Sequence, residues 1–287
     1  MSGRKILRQA QMEYFLWLSN PRMAIFLVLL VLIHSLVIQP LHQAAQDMGQ
    51  PIHLLEPLAA LANSPLLLLL LPVGFLVLMA DFPRMDAGFL LQLYRTGRVN
   101  WALGELVMLC AAAATYLAGV ALATLLLTML GPWSASMEWS YTVTEYSWNF
   151  DLPNVYTVAS LLPKNLYLQM SLFTAVWKSW GFVFLYLVLG GCVMMAASML
   201  RMKFAGILFN AAVMLSGTGL VLLGSEWMWL LPCAHTLVWA HHTEYFSDVV
   251  FPQWGSLLYF MVGILVLASI ALWRVRRRDF DSVLEFT

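Results

Sequence analysis

The sequence predicts an all-α polytopic membrane protein with six transmembrane helices and both termini in the cytoplasm. Three observations predict it. Hydrophobic residues make up 61% of the 287 residues and charged ones 10%, at a mean hydropathy of +0.78. A soluble domain carries about 25% charged residues, so water cannot be the main solvent of this chain. Six segments also approach the ~20 apolar residues a helix needs to cross the hydrocarbon core, and the basic residues lie almost entirely on one side of them.

The elements follow in order. Residues 4–20, "RKILRQAQMEYFLWLSN", predict an amphipathic interfacial helix. It is too polar for a cleaved signal, so the first span is expected to stay in the mature protein. That span covers 22–39, with Asn20 as its cap and Pro21 at the first helical position, where a missing N–H costs nothing. The second covers 64–80, and Pro72 and Gly74 predict a kink in it. Residues 82–98 predict a short amphipathic helix capped by Asp81 or Asp86 and ended by Gly97, with Phe82, Met85, Phe89 and Leu93 on one face. The third span, 102–130, is long enough that it must tilt or project. Spans four to six cover 179–200, 204–223 and 256–273.

Arg4, Lys5, Arg8, Arg22, Arg84, Arg95, Arg98, Arg201, Lys203, Arg274, Arg276, Arg277 and Arg278 share one side, thirteen of the fifteen; only Lys164 and Lys178 fall on the other. Cytoplasmic loops collect Lys and Arg, which places both ends inside. The opposite side has loops at 40–63, 131–178 and 224–255. The middle one carries Trp133, Trp139, Tyr141, Tyr146, Trp148, Phe150 and Tyr156 among Glu138, Glu145 and Asp151. So many aromatics must pack on something, and the loop is expected to form an extracellular cap with the third loop. Within that third loop, "SEWMWLLPCAHTLVWAHH" is too apolar for an exposed loop and too interrupted for a span. It predicts short re-entrant or interfacial helices broken at Pro232. All six histidines fall at or beyond this outer boundary. Cys110, Cys192 and Cys233 make neither a disulfide framework nor a metal-type spacing.

Several functions are disfavoured. No span has a charge at its centre, and no pair of matching halves is evident, which counts against proton- or sodium-driven transport. The cytoplasmic segments are too short for a nucleotide-binding domain. "LGGC" and "SGTG" lack the lysine of a phosphate loop and read as helix-packing sites. Nothing marks a nucleic-acid surface. Two readings of 82–98 remain open on sequence physics: a snorkelling helix that only sets orientation, or a docking surface.

The chain resembles the exporter-type membrane subunits of the ABC transporter type-2 permease family. Four stretches carry the resemblance: the N-terminal "RKILRQAQMEYFLWLSNPR", the loop "DFPRMDAGFLLQLYRTGRVNWALGE", the outer "LLPCAHTLVWAHH" and the basic exit "ALWRVRRRDF". They cover most of the chain in order, although 131–178 is longer than the outer loop of many members. The resemblance implies a permease subunit of the bacterial plasma membrane. It would pair with a second permease subunit, homo- or heterodimeric, above two cytosolic ATPases that hold ATP and Mg, with no cofactor in this chain. It makes 82–98 the coupling helix, with Arg84, Asp86, Phe89, Leu93, Arg95 and Arg98 as candidate ATPase-docking residues. The chain itself would have no catalytic site. An amphiphilic substrate suits an apolar cleft rich in Met and aromatic side chains: a peptide antibiotic, drug or lipid-like molecule. Phe75, Asn210, Met214 and Thr218 are the candidate cleft residues. The rival of another class is a metal- or haem-handling protein using Cys233, His235, His241, His242 and Glu244. A membrane-embedded enzyme is disfavoured, with no central acid pair and no serine–histidine spacing.

Overall fold

A computed structural model describes residues 2–65, 67–85, 89–149, 151–243 and 248–277. Asp86, Phe150, Glu244 and Arg278, named above, lie outside the described residues. Helix dominates, and five helices are long and apolar enough to cross a membrane: Pro21–Met48, Arg98–Thr128, Leu172–Met199, Lys203–Leu222 and Gln253–Arg277. The protein is thus an all-α chain fit for a membrane.

The first helix, α1 (Gly3–Leu18), is amphipathic in an inverted sense. Gln9, Ala10, Glu13 and Trp17 are buried, while Leu7, Phe15 and Leu18 are exposed. The face with Gln9 and Glu13 lies against α7 (Arg98–Thr128), together with Ala10 and Trp17, while Leu7, Phe15 and Leu18 face outward, as suits a helix in lipid. Gly104 permits this close approach: a Cβ there would meet Gln9 Cγ at 2.7 Å and Gln9 Cβ at 2.8 Å. Gly104→Leu is expected to lift α1 from α7 and cost about 3 kcal/mol, the upper range for overpacking. Faster proteolysis of residues 2–20, with the rest of the chain intact, would show it; unchanged cleavage would mean that the two helices separate without cost.

The first long helix starts as expected. The Asn20 side chain accepts from the Arg22 N–H at 3.0 Å, and a 3₁₀ turn at Pro21–Ala24 leads into α2 (Ile25–Ile33). The helix does not stop at 39. A π turn, His34–Ile38, absorbs the N–H that Pro40 lacks, and α3 (Gln39–Met48) carries it on to Gly49, whose φ of 64° ends it.

The second expected span departs most. No continuous helix covers 64–80; α4 (Glu56–Asn63) stops at Ser64–Pro65, and α5 (Leu70–Leu78) is only nine residues long. The break thus falls ahead of Pro72 rather than at it. Neighbours satisfy the freed polar groups there. Asn63 Nδ2 donates to Ser179 Oγ at 2.7 Å, its carbonyl accepts from Trp239 Nε1 at 2.8 Å, and Ser64 Oγ donates to the Ser160 carbonyl. Next come α6 (Phe89–Thr96) and α7, separated by Gly97 at φ 85°.

At the aromatic-rich end, Trp133–Ser134 (β2) pairs in parallel with Ile52–His53 (β1). Three short helices follow: α8 (Tyr141–Tyr146), α9 (Val155–Leu161) and α10 (Lys164–Gln169). The first two pack on α3, and α9 also on α4, with Tyr146 fully buried and its hydroxyl donating to Asp47, whereas α10 packs on the turn Val238–His241. Then α11 (Leu172–Met199) forms the central post, flanked by α12 (Lys203–Leu222) and α14 (Gln253–Arg277). Between those two, Glu226–Leu230 and Val238–His241 form 3₁₀ turns around α13 (Pro232–Thr236), which begins at Pro232. The three cysteines are free thiols.

Candidate functional site

Two regions gather the candidate residues. The first is α6, at the basic end. Its inner face is locked into the chain. The Phe89 ring meets Trp101 edge-on at 5.0 Å, Leu93 is buried, and Gln92 Oε1 accepts from Gln9 Nε2 at 3.3 Å. Lys5 Nζ donates to the Arg95 carbonyl at 3.2 Å, and Asn100 Nδ2 to the Thr96 carbonyl at 2.8 Å, which satisfies the end of the helix. Arg98 reaches elsewhere, donating to the Arg276 carbonyl at the end of α14.

The structure therefore divides the candidates in this stretch. Phe89 (1% exposed) and Leu93 (8%) face inward and hold α6 in place. Arg84 and Arg95 are exposed, and beside Arg95 stand Leu91 (69%) and Tyr94 (88%). Sequence reasoning overlooked these two. The signal was present, because residues on the side of a helix opposite its apolar face are the ones a partner would meet. Near α6, Glu105, Glu13, Trp17 and Arg84 line a small cavity of about 30 Å³.

The second region is a cavity of about 780 Å³ between α11, α12 and α14. Pockets of about 300–1,000 Å³ suit small-molecule ligands. Tyr186, Gly190, Phe209, Asn210, Tyr259 and Val262 are among its lining residues, and Leu230–Pro232 close one end. Asn210 spends both amide hydrogens on the backbone, on the Gly190 and Gly206 carbonyls at 3.1 and 3.2 Å. This leaves its side-chain oxygen as a polar acceptor in an apolar wall. Phe75 and Met214 line a smaller neighbouring pocket instead. Thr218 donates to the Met214 carbonyl and is buried. The four cleft candidates thus lie on one side of the molecule, but only Asn210 lines the large cavity.

The outer histidines are placed differently from one another. His34 is exposed, and His42 contacts the Thr128 carbonyl. His235 and His241 are buried, and both ring nitrogens of each are already in hydrogen-bond contact with protein oxygens. Cys233 Sγ contacts the Tyr186 hydroxyl at 3.3 Å. No group of three or more His, Cys, Asp or Glu placed to hold a metal occurs among the described residues. Burial lowers the pKa of His235 and of His241 to about 4, mainly because a charged ring would lose its hydration.

No family model, no curated protein and no solved structure matches this chain.

Proposed function

We propose that this chain is the permease subunit of an ABC-type exporter that moves an amphiphilic molecule out of the cell. It would work beside a second permease subunit and above two cytosolic ATPases that bind ATP and Mg. The observation that carries this reading is α6. A short helix is clamped between α1 and α7 by its inner face and turns Leu91, Tyr94 and Arg95 outward at the basic end. A helix needed only to turn the chain has no use for such clamping. A helix that passes a push from a motor into α1 and α7 requires it. The cavity between α11, α12 and α14 suits an apolar or amphiphilic cargo, with Asn210 offering a polar contact.

Six crossings with both ends inside complete the proposal, the second made of α5 and the broken stretch before it. Exposed Trp254 and Trp273 on α14 stand nineteen positions apart. At 1.5 Å per residue that is about 28 Å, near the ~30 Å of a hydrocarbon core, and tryptophan favours its two edges. Single cysteines at Met137 and Tyr141, in a background without the native three, should react with an impermeant reagent from outside the cell. One at Tyr94 should not. All three positions are well exposed, whereas Ser140 beside them is buried. The opposite labelling would overturn the orientation. For the function itself, gentle purification of the full chain from its native membranes should bring down an ATP-hydrolysing subunit. A chain that retains its lipid yet carries no ATPase activity would sink the exporter reading.

A further inference from the structure

Four close polar contacts run through three buried side chains where residues 226–241 fold back on α14. His235 Nε2 lies 2.9 Å from the Trp229 carbonyl oxygen, and its Nδ1 lies 2.8 Å from Ser256 Oγ. His241 Nε2 lies 2.8 Å from that same Oγ, and its Nδ1 lies 2.9 Å from the Leu237 carbonyl oxygen. At such distances each contact needs one hydrogen between its two heavy atoms. The carbonyls bring none, each neutral imidazole brings one, and the hydroxyl brings one. Two neutral rings and Ser256 therefore supply three hydrogens to four contacts. No choice of tautomers mends this, because moving a ring hydrogen from one nitrogen to the other only moves the gap. His235, His241 and Ser256 are at most 1% exposed, so bulk water does not supply the fourth.

One added proton closes the set. A doubly protonated ring donates to its carbonyl and to Ser256 Oγ, while the hydroxyl hydrogen turns to the other ring. We propose that His235, Ser256 and His241 form a binding site for a single proton, shared across the hydroxyl, and that this proton fastens the segment 226–241 onto α14. This inference stands apart from the exporter reading and does not depend on it.

The surroundings both oppose and favour the charge. Burial opposes it, as the low values for both rings express. Aromatic faces favour it, since a cation is drawn to the face of a ring. Tyr259 stacks on His235 at 4.2 Å, and Phe182 stacks on His241 at 6.0 Å. Trp229 stands edge-on to both, at 5.5 and 5.1 Å. Among the described residues, the ionisable groups nearby are the Tyr259 and Tyr186 phenols from α14 and α11, the Cys233 thiol of α13, and His242 at the rim. His242 lies near Gln253, which accepts from Lys178 Nζ on α11, and that cation opposes the proton. Glu226 and Asp248 are exposed carboxylates on the flanking segments, and neither has a hydrogen bond to these rings. From α10, beside His241, comes Tyr167, whose hydroxyl is engaged by Ser147.

The test reads the ring nitrogens of the full chain, labelled with ¹⁵N-histidine in lipid nanodiscs, by NMR as the pH is lowered. In the wild type, one ring of the pair should gain its second N–H with a midpoint above about pH 5, higher than the value of about 4 set mainly by burial, with the hydrogen bonds offsetting only part of it. Each single substitution removes the shortage. Ser256→Ala leaves two contacts for two hydrogens, and His235→Gln leaves Ser256 and His241 with two hydrogens for their two contacts. In both variants the remaining buried imidazoles should stay neutral down to about pH 5. Three results would overturn the site: no protonated ring of the pair in the wild type above that pH, a midpoint unmoved in Ser256→Ala, or a His241 ring that still takes up the proton in His235→Gln. Should one variant fail to fold, the wild type and the other still decide.

Discussion

Glu56→Ala is expected to release the cap that β2 and α8 form over α3 and β1, at a cost of about 3–5 kcal/mol. The Glu56 carboxylate is fully buried and accepts three hydrogen bonds: from Ser140 N–H at 2.6 Å, Ser140 Oγ at 3.0 Å and His53 N–H at 2.8 Å. It joins the strand pair to the start of α8, because Ser140 Oγ also accepts from the Val143 N–H as the cap of that helix. Each bond to a charged acceptor contributes about 1.5–3 kcal/mol, and alanine leaves the two Ser140 donors buried and unmet, while the half-buried His53 N–H can turn to water. Hydrogen exchange at residues 137–146 measures the release; protection equal to wild type would show that the cap is held from elsewhere. A pH effect accompanies this. Burial raises the Glu56 pKa above its ordinary 4.5, and the three hydrogen bonds offset only part of the rise. The folded cap therefore binds a proton more tightly than the unfolded chain does. Its stability should rise as the pH falls through the folded pKa and level off below about 4.5. Glu56→Gln should flatten that dependence.

The double substitution Tyr94→Ala and Arg95→Glu is expected to abolish coupled transport while leaving the chain folded. Both side chains are exposed, and among the described residues neither makes a side-chain hydrogen bond that substitution would remove, while Lys5 still holds the Arg95 carbonyl. Truncating an exposed aromatic anchor at an interface costs about 2 kcal/mol or more, roughly thirtyfold in affinity, and a reversed charge adds repulsion. Co-purified ATPase and its substrate-stimulated hydrolysis should both fall by at least that factor. Phe89→Ala makes the contrast, since it opens the contact with Trp101 and loosens α6 from within. If transport survives the double substitution, α6 is a membrane float and the motor docks elsewhere or not at all.

Local chemistry was legible in the sequence where a residue acts on its neighbours. Asn20 and Pro21 open the first long helix, Gly97 ends α6 and Pro232 starts α13, each as its residue type dictates. Hydropathy located the five long helices to within a few residues at most ends, and it missed the extension of the first to Met48. What sequence could not show depends on distant partners. The break at 64–69 is stabilised by Ser179 and Trp239, more than a hundred positions from Asn63. The apolar run through that stretch read as one span because hydropathy does not register where the backbone finds its hydrogen bonds. Ser256 escaped notice for a related reason. Its histidines lie fifteen and twenty-one positions earlier and meet it only when the segment between α12 and α14 folds back. Of the face expected over 82–98, Phe89 and Leu93 do share the inner side of α6, but Phe82 and Met85 precede the helix in non-helical chain, and a face that amphipathic is also the one its own protein claims first.

The unequal setting of the long helices has a consequence for descent. In its most apolar stretch α11 has 72% of its residues buried, and α14 only 17%. On α14 most side chains are exposed, and in a bilayer leucine, valine, isoleucine and methionine would serve there almost alike. Along α11 each meets a fixed neighbour, as where Gly191 faces Leu109 and Tyr186 faces Cys233. Selection therefore holds α14 to a composition and α11 to an order of letters. Over long times the two should change at different rates, and kinship to this chain will persist longest in the helix that its own neighbours enclose most.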